Sequence, residues 1–160
     1  MGVGAGQKDA TAELAFTTEN STGVTHRVVL TFAIAVGLGR LPDLGQISLA
    51  QILHAEQEVA VHRELPTAGR ARSTTRVAAI YDKGKDALVR LQTEVVDPDD
   101  AVVLATLTSG LFIRGAGGWG VDRGPQREWA LPEGQPDAVG DRTSPGQALV
   151  YRLSGDRNPL

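Results

Sequence analysis

The chain has 160 residues, enough for one domain with a sizeable core. Its net charge is −3 and its basic residues are scattered, so it carries no nucleic-acid footprint, and no apolar run reaches the length of a membrane span. It has no cysteine, which excludes disulfides and thiolate metal sites and fits a reducing compartment.

Residues 1–26 are glycine-rich and polar, and Met1–Gly6 lacks the layout of a secretory leader. Val28–Val36 is an apolar stretch that periodicity assigns equally to a buried helix or a strand. Gly37, Gly39, Pro42 and Gly45 mark a loop, and Ile47–Leu53 reads as a short helix with Ser48 as N-cap. From His54 the pattern turns to strands. His54–Leu65 sets Val59 and Val61 on one face and Glu56, Glu58 and His62 on the other. Pro66–Gly69 is a turn, and Arg70–Tyr81 is a second strand rich in Thr and Val. Asp82-Lys83-Gly84-Lys85 is a hairpin turn in which Gly84 is free to take positive φ. Ala87–Val96 alternates cleanly, with Ala87, Val89, Leu91, Thr93 and Val95 on one face. Val102–Arg114 is the fourth strand.

Four strands in succession predict an antiparallel meander, with the preceding helix laid across its apolar face. The expected fold class is α+β, an antiparallel sheet packed on a short helix. Gly115–Gly120 ends the sheet. Residues 121–143 read as a surface linker. Ser144-Pro145-Gly146-Gln147 has the form of a capping box, and 147–153 would be a short helix closed by Gly155. The expected organisation is therefore a small domain over 1–120, a linker over 121–143, and the start of a second domain over 144–160.

The closing residues Tyr151-Arg152-Leu153-Ser154-Gly155-Asp156-Arg157-Asn158-Pro159-Leu160 resemble the active-site loop of the MaoC-like (R)-specific enoyl-CoA hydratases, the hydratase 2 group, which reads Gly-Asp-x-Asn-Pro-Leu-His. Leu53-His54-Ala55-Glu56-Gln57 resembles that family's Leu-His-Gly-Glu-Gln. Leu65-Pro66-Thr67-Ala68-Gly69, Asp82-Lys83-Gly84 and Gly115-Ala116-Gly117-Gly118-Trp119-Gly120 follow its further motifs in order. No one of these is specific; their order and spacing carry the resemblance. There are two departures: Ala55 replaces the usual glycine, and Val29-Leu30-Thr31-Phe32 stands for Leu-Pro-Thr-Phe.

The resemblance implies a hot-dog fold, with this chain as the first half of a double hot-dog and the opening of the catalytic repeat. It implies reversible addition of water to trans-2-enoyl-CoA, giving the (3R)-3-hydroxyacyl-CoA. An aspartate and a histidine would hold the water, and a backbone N–H would stabilise charge on the thioester oxygen. Asp156 is the candidate aspartate, Asn158 would hold the loop or the water, and Glu19 matches a glutamate that contacts or supports the site. The histidine would follow Leu160, so the piece alone is expected to be inactive. His54, Ala55, Lys83, Arg157, Pro159 and Leu160 match substrate- and CoA-contacting positions. No metal and no cofactor are implied, since coenzyme A is part of the substrate.

Taken singly, these residues have plainer explanations. Asp156 sits where a C-terminal turn favours aspartate. His54 would also suit a helix terminus. A hairpin-tip lysine such as Lys83 is commonly just solvated, and Glu19 reads as an exposed loop glutamate. The alternative function is a non-catalytic acyl-CoA-binding hot-dog subunit that pairs with a separate catalytic subunit. An unpartnered sheet edge and an exposed apolar patch predict a homodimer. Cytoplasmic placement is expected for a bacterial protein and peroxisomal for a eukaryotic one.

Overall fold

The computed structural model describes residues 9, 11–39, 41–120 and 122–126, and beyond them 130, 133–135, 145–146, 149 and 152. Among the described residues two helices, α1 (Leu14–Thr17) and α2 (Phe32–Gly37), precede four strands: β1 (Ile52–Val61), β2 (Arg72–Asp82), β3 (Ala87–Val96) and β4 (Val103–Ile113). The predicted alternation of β3 holds, and all five residues assigned to its apolar face are buried. The predicted hairpin between β2 and β3 also holds, with Gly84 at φ +89°.

The strand order corrects the meander. It is β1-β4-β3-β2, antiparallel throughout, so β2, β3 and β4 form a meander while β1 pairs with β4 and not with β2. The turn expected at Pro66–Gly69 is instead part of a crossing between the two edges of the sheet. Leu65 anchors it, buried in one core cluster with Ala33, Val95, Leu104 and Leu107.

The cover of the sheet is corrected as well. Ile47–Leu53 is not the covering helix. It contains one 3-10 turn, Leu49–Gln51, and β1 begins at Ile52. Ser48 does cap that turn, in a reciprocal capping box with Gln51. Gln51 Nε2 also donates to the Arg114 carbonyl at 3.0 Å, and Arg114 N donates back to the Gln51 carbonyl at 3.0 Å. These bonds tie the turn to the end of β4, where a long helix would have to break them.

The helix against the sheet is α2, from the stretch whose helix or strand character the sequence left open. Gly37 allows its close approach: a Cβ there would lie 2.2 Å from Leu107 Cδ1 and 3.2 Å from Val95 Cγ2. Ser73 Oγ in β2 donates to the Val36 carbonyl at 3.0 Å, satisfying one of the acceptors that a helix end leaves open. With six residues α2 is about 9 Å long, whereas strands of ten or eleven residues run about 33 Å. The helix therefore covers only part of the inner face. The core accordingly falls into two clusters. One lies with Ala33, Leu65, Val95 and Leu107, and the other with Ala87, Val89, Leu91, Leu111 and Ile113.

By contacts the chain divides into two compact units, Met1–Pro125 and Gln126–Leu160. The first extends to Pro125 because residues 122–124 hold to the end of β2. Asp82 N donates to the Asp122 carbonyl at 3.0 Å, and Gly124 sits against the Tyr81 ring. In the second unit Leu149 and Arg152, both within the expected helix, are helical.

Candidate functional site

A cleft of about 400 Å³ opens on the inner face, in the range of small-molecule sites. Its floor is Leu91, Leu107 and Leu111, and its wall is Ile34 and Gly37 of α2 with Leu38 and Leu41 beyond. It exists because α2 is too short to fill the face. A larger, shallower depression of about 650 Å³ lies between residues 27–31 and the end of β1. Its cations are already engaged, Arg27 with Glu64 and the Phe16 ring, Arg63 with Asp97 and Asp100. The smaller cleft is the better candidate.

Two polar sets interrupt the apolar lining. The hydroxyls of Thr75 and Thr93 share a hydrogen bond of 2.8 Å. Across the floor, Gln57 Oε1 accepts from Ser109 Oγ at 2.8 Å and lies 3.2 Å from His54 Nε2. The Gln57 amide nitrogen donates to the main-chain carbonyl of Glu58 at 3.2 Å.

His54 and Gln57 are three residues apart, and strict strand alternation would place them on opposite faces. A β-bulge brings them together. The register passes from His54↔Leu111 to Glu56↔Gly110 and leaves Ala55 unpaired. The extra residue returns Gln57 to the inner face, opposite Ser109. Ala55, the departure from the family glycine, thus sits in the bulge. It does so without positive φ, which is why a methyl group is tolerated there.

Lys83 lies at the hairpin, but its ammonium is not merely solvated. It donates to the Arg123 carbonyl and stands 5.8 Å over the Tyr81 ring. Glu19 is exposed in the bend after α1, with no hydrogen-bond partner among the described residues. Of the predicted site residues that are described, His54 alone lines the cleft. Asp156, Arg157, Asn158, Pro159 and Leu160 lie outside the described residues. Among the described residues no group of three or more His, Asp or Glu could hold a metal ion.

Sequence reasoning missed three residues. Gln57 stood only as the last residue of the Leu53-His54-Ala55-Glu56-Gln57 motif, with no role of its own, and Ser109 was not named, although a glutamine on the same strand face as Val59 and Val61 was a visible break in the pattern. Asp82 was read as a turn residue and as part of the Asp82-Lys83-Gly84 motif, with no role of its own. It is buried, and its carboxylate accepts from the N–H groups of Gly84 at 2.8 Å, Gly118 at 3.2 Å and Gly120. The N–H groups of Gly120 and then Gly118 hold its carboxyl below the ordinary range. It clips the Gly115–Gly120 loop onto the hairpin, and Gly117 fits beneath only because it has no side chain. A Cβ there would lie 2.2 Å from the Asp86 carbonyl oxygen.

Comparison with known proteins decides the family. The family model of the MFE-2 hydratase 2 N-terminal domain matches residues 1–115. The chain belongs to this family. It is 43% identical to the 3-hydroxyacyl-thioester dehydratase Y of Mycobacterium tuberculosis, over all of this chain and 56% of that protein. It is 44% identical to the enoyl-CoA hydratase ChsH3 of the same organism, over 71% of this chain and 40% of that protein. Among solved structures, a MaoC-like dehydratase from Phytophthora capsici superposes with a TM-score of 0.74 at 35% identity, covering 98% of this chain and 56% of that one. The fold of the hydratase 2 domain is thus the hot-dog fold, as the sequence implied. The chain spans roughly half the length of the relatives it matches.

Proposed function

We propose that the protein carrying this chain is an (R)-specific enoyl-CoA hydratase, adding water to trans-2-enoyl-CoA to give the (3R)-3-hydroxyacyl-CoA. The observation that carries this reading is the cleft under α2 in a chain of the hydratase 2 family. The apolar floor suits an acyl chain, and the polar groups at its side suit the thioester end. Relatives named as an enoyl-CoA hydratase and a 3-hydroxyacyl-thioester dehydratase support the reaction class.

In this reading Asp156 shares the proton work on the water with a histidine beyond Leu160, and Asn158 holds the loop. Lys83, Arg157, Pro159 and Leu160 border the coenzyme A moiety, and Glu19 supports the site. Coenzyme A enters as part of the substrate, no further cofactor takes part, and the working protein is a homodimer. Among the described residues no helix is long and apolar enough to cross a membrane.

The test is turnover of trans-2-decenoyl-CoA by the protein that carries this chain, with the chirality of the product read by chiral chromatography. The (3R) product is expected, and Asp156→Asn should lower kcat by about 10²–10⁴. A (3S) product, or turnover untouched in Asp156→Asn, would sink the proposal. Saturable binding with no turnover would favour the acyl-CoA-binding subunit instead.

A further inference from the structure

We infer that Gln57 is a positioning residue that fixes the tautomer of His54, so that His54 presents Nδ1 as a hydrogen-bond acceptor for a donor group on the bound thioester. The inference rests on the reading of the cleft as the thioester's binding site.

The argument starts from a main-chain carbonyl. The Glu58 carbonyl only accepts, so the group of Gln57 that lies 3.2 Å from it must be the amide NH₂. The opposite amide orientation would set two acceptors against each other. With the NH₂ turned to Glu58, Oε1 faces both Ser109 Oγ and His54 Nε2. An amide oxygen only accepts, so both neighbours must donate. Ser109 gives its hydroxyl hydrogen, and in the neutral ring the proton of His54 sits on Nε2. Nδ1 is then left with a lone pair and no partner among the described residues. The bulge at Ala55 is what makes this chain of bonds possible, since it brings His54 and Gln57 to the same face.

An acceptor at the cleft recognises a donor. On an acyl-CoA the donors nearest the thioester are the amide N–H groups and the hydroxyl of the pantetheine arm; the adenine amino group and the ribose hydroxyl lie at the far end of the molecule. An acyl chain has none unless it carries a hydroxyl. The neutral Nε2–H tautomer therefore favours contact with the arm's amide N–H groups, against which the other tautomer would set an N–H of its own; the hydroxyl, donor and acceptor both, fits either tautomer.

The tautomer can be read directly from the ¹⁵N shifts of the His54 ring at a pH well above the ordinary histidine pKa of about 6.5. The signal is assigned by its loss in His54→Gln. We expect a pyrrole-type signal from Nε2 and a pyridine-type signal from Nδ1. Gln57→Leu should mix the two tautomers and weaken binding of trans-2-decenoyl-CoA by about three- to tenfold, the effect of one hydrogen bond. Ser109→Ala removes the other donor to Gln57 Oε1 but leaves its bond to His54 and should keep the wild-type tautomer, so a folding defect in one variant does not decide the matter. An Nε2–H signal that persists in Gln57→Leu overturns the inference. So does a changed tautomer with unchanged binding. If the unsubstituted protein binds no decenoyl-CoA, both this inference and the proposed function fail. Binding that Gln57→Leu leaves untouched removes this inference alone.

Discussion

Asp82 shows how much one side chain can hold. Its carboxylate gathers N–H groups from the hairpin and from the glycine-rich loop that follows β4, which are some 36 residues apart in the chain. Because these bonds favour the charged form, its folded pKa lies below that of the unfolded chain. The stabilisation is complete above about pH 4 and is lost as the pH falls through the lower, folded value. Asp82→Asn should therefore lower the urea midpoint at pH 7 and narrow its deficit at pH 3. An equal deficit at both values would mean that the charge contributes nothing. Ala101 makes a second case. It is the one described residue other than glycine with positive φ, +59°, in the turn between β3 and β4. The left-handed region costs a residue with a Cβ roughly 1–2 kcal/mol, part of which glycine returns through its freer unfolded state. Ala101→Gly should raise stability by about 0.5–1 kcal/mol in a urea titration. Neither role was legible in the sequence, where Asp82 stood only in a hairpin turn and its motif, because nothing local distinguishes a turn aspartate that grips a distant loop, or an alanine in the left-handed region.

Among the elements, legibility followed the source of the signal. β3 was read correctly from first to last residue because its period of two is imposed by one buried face, and that face is local to the strand. The hairpin into it was legible for the same reason. α2 was not, since a six-residue helix completes fewer than two turns, too few to separate a helical period from a continuous apolar run. What selects the helix is tertiary: the fit of Gly37 over Leu107 and the bond from Ser73. Gly37→Ala should consequently cost about 1–3 kcal/mol by overpacking, seen as a lower urea midpoint with an unchanged slope. An unaltered midpoint would mean that Leu107 turns aside freely. The candidate site was legible in the same uneven way. His54 was found from its motif. The bond between Gln57 and Ser109 depends on a register 52 residues long and on a bulge, neither of which leaves a mark in local pattern.

On the scale of the whole molecule, the order β1-β4-β3-β2 separates what folds locally from what does not. β2, β3 and β4 are joined by the short turns 83–86 and 97–102. β1 instead closes onto the far side of β4, pairing Ile52 with Ile113 and Val61 with Ala105. Loop-closure entropy must be met before that last pairing returns any stabilisation. The three-stranded unit should therefore assemble first and β1 afterwards. In kinetic terms, Leu91→Ala in β3 should slow folding, whereas Val59→Ala in β1 should leave the folding rate nearly unchanged and speed unfolding. Native-state hydrogen exchange should show β1 amides opening at a lower free energy than those of β3. Equal protection of the two strands would contradict this order. The strand that carries His54 and Gln57 is then the last to be secured and the first to be released.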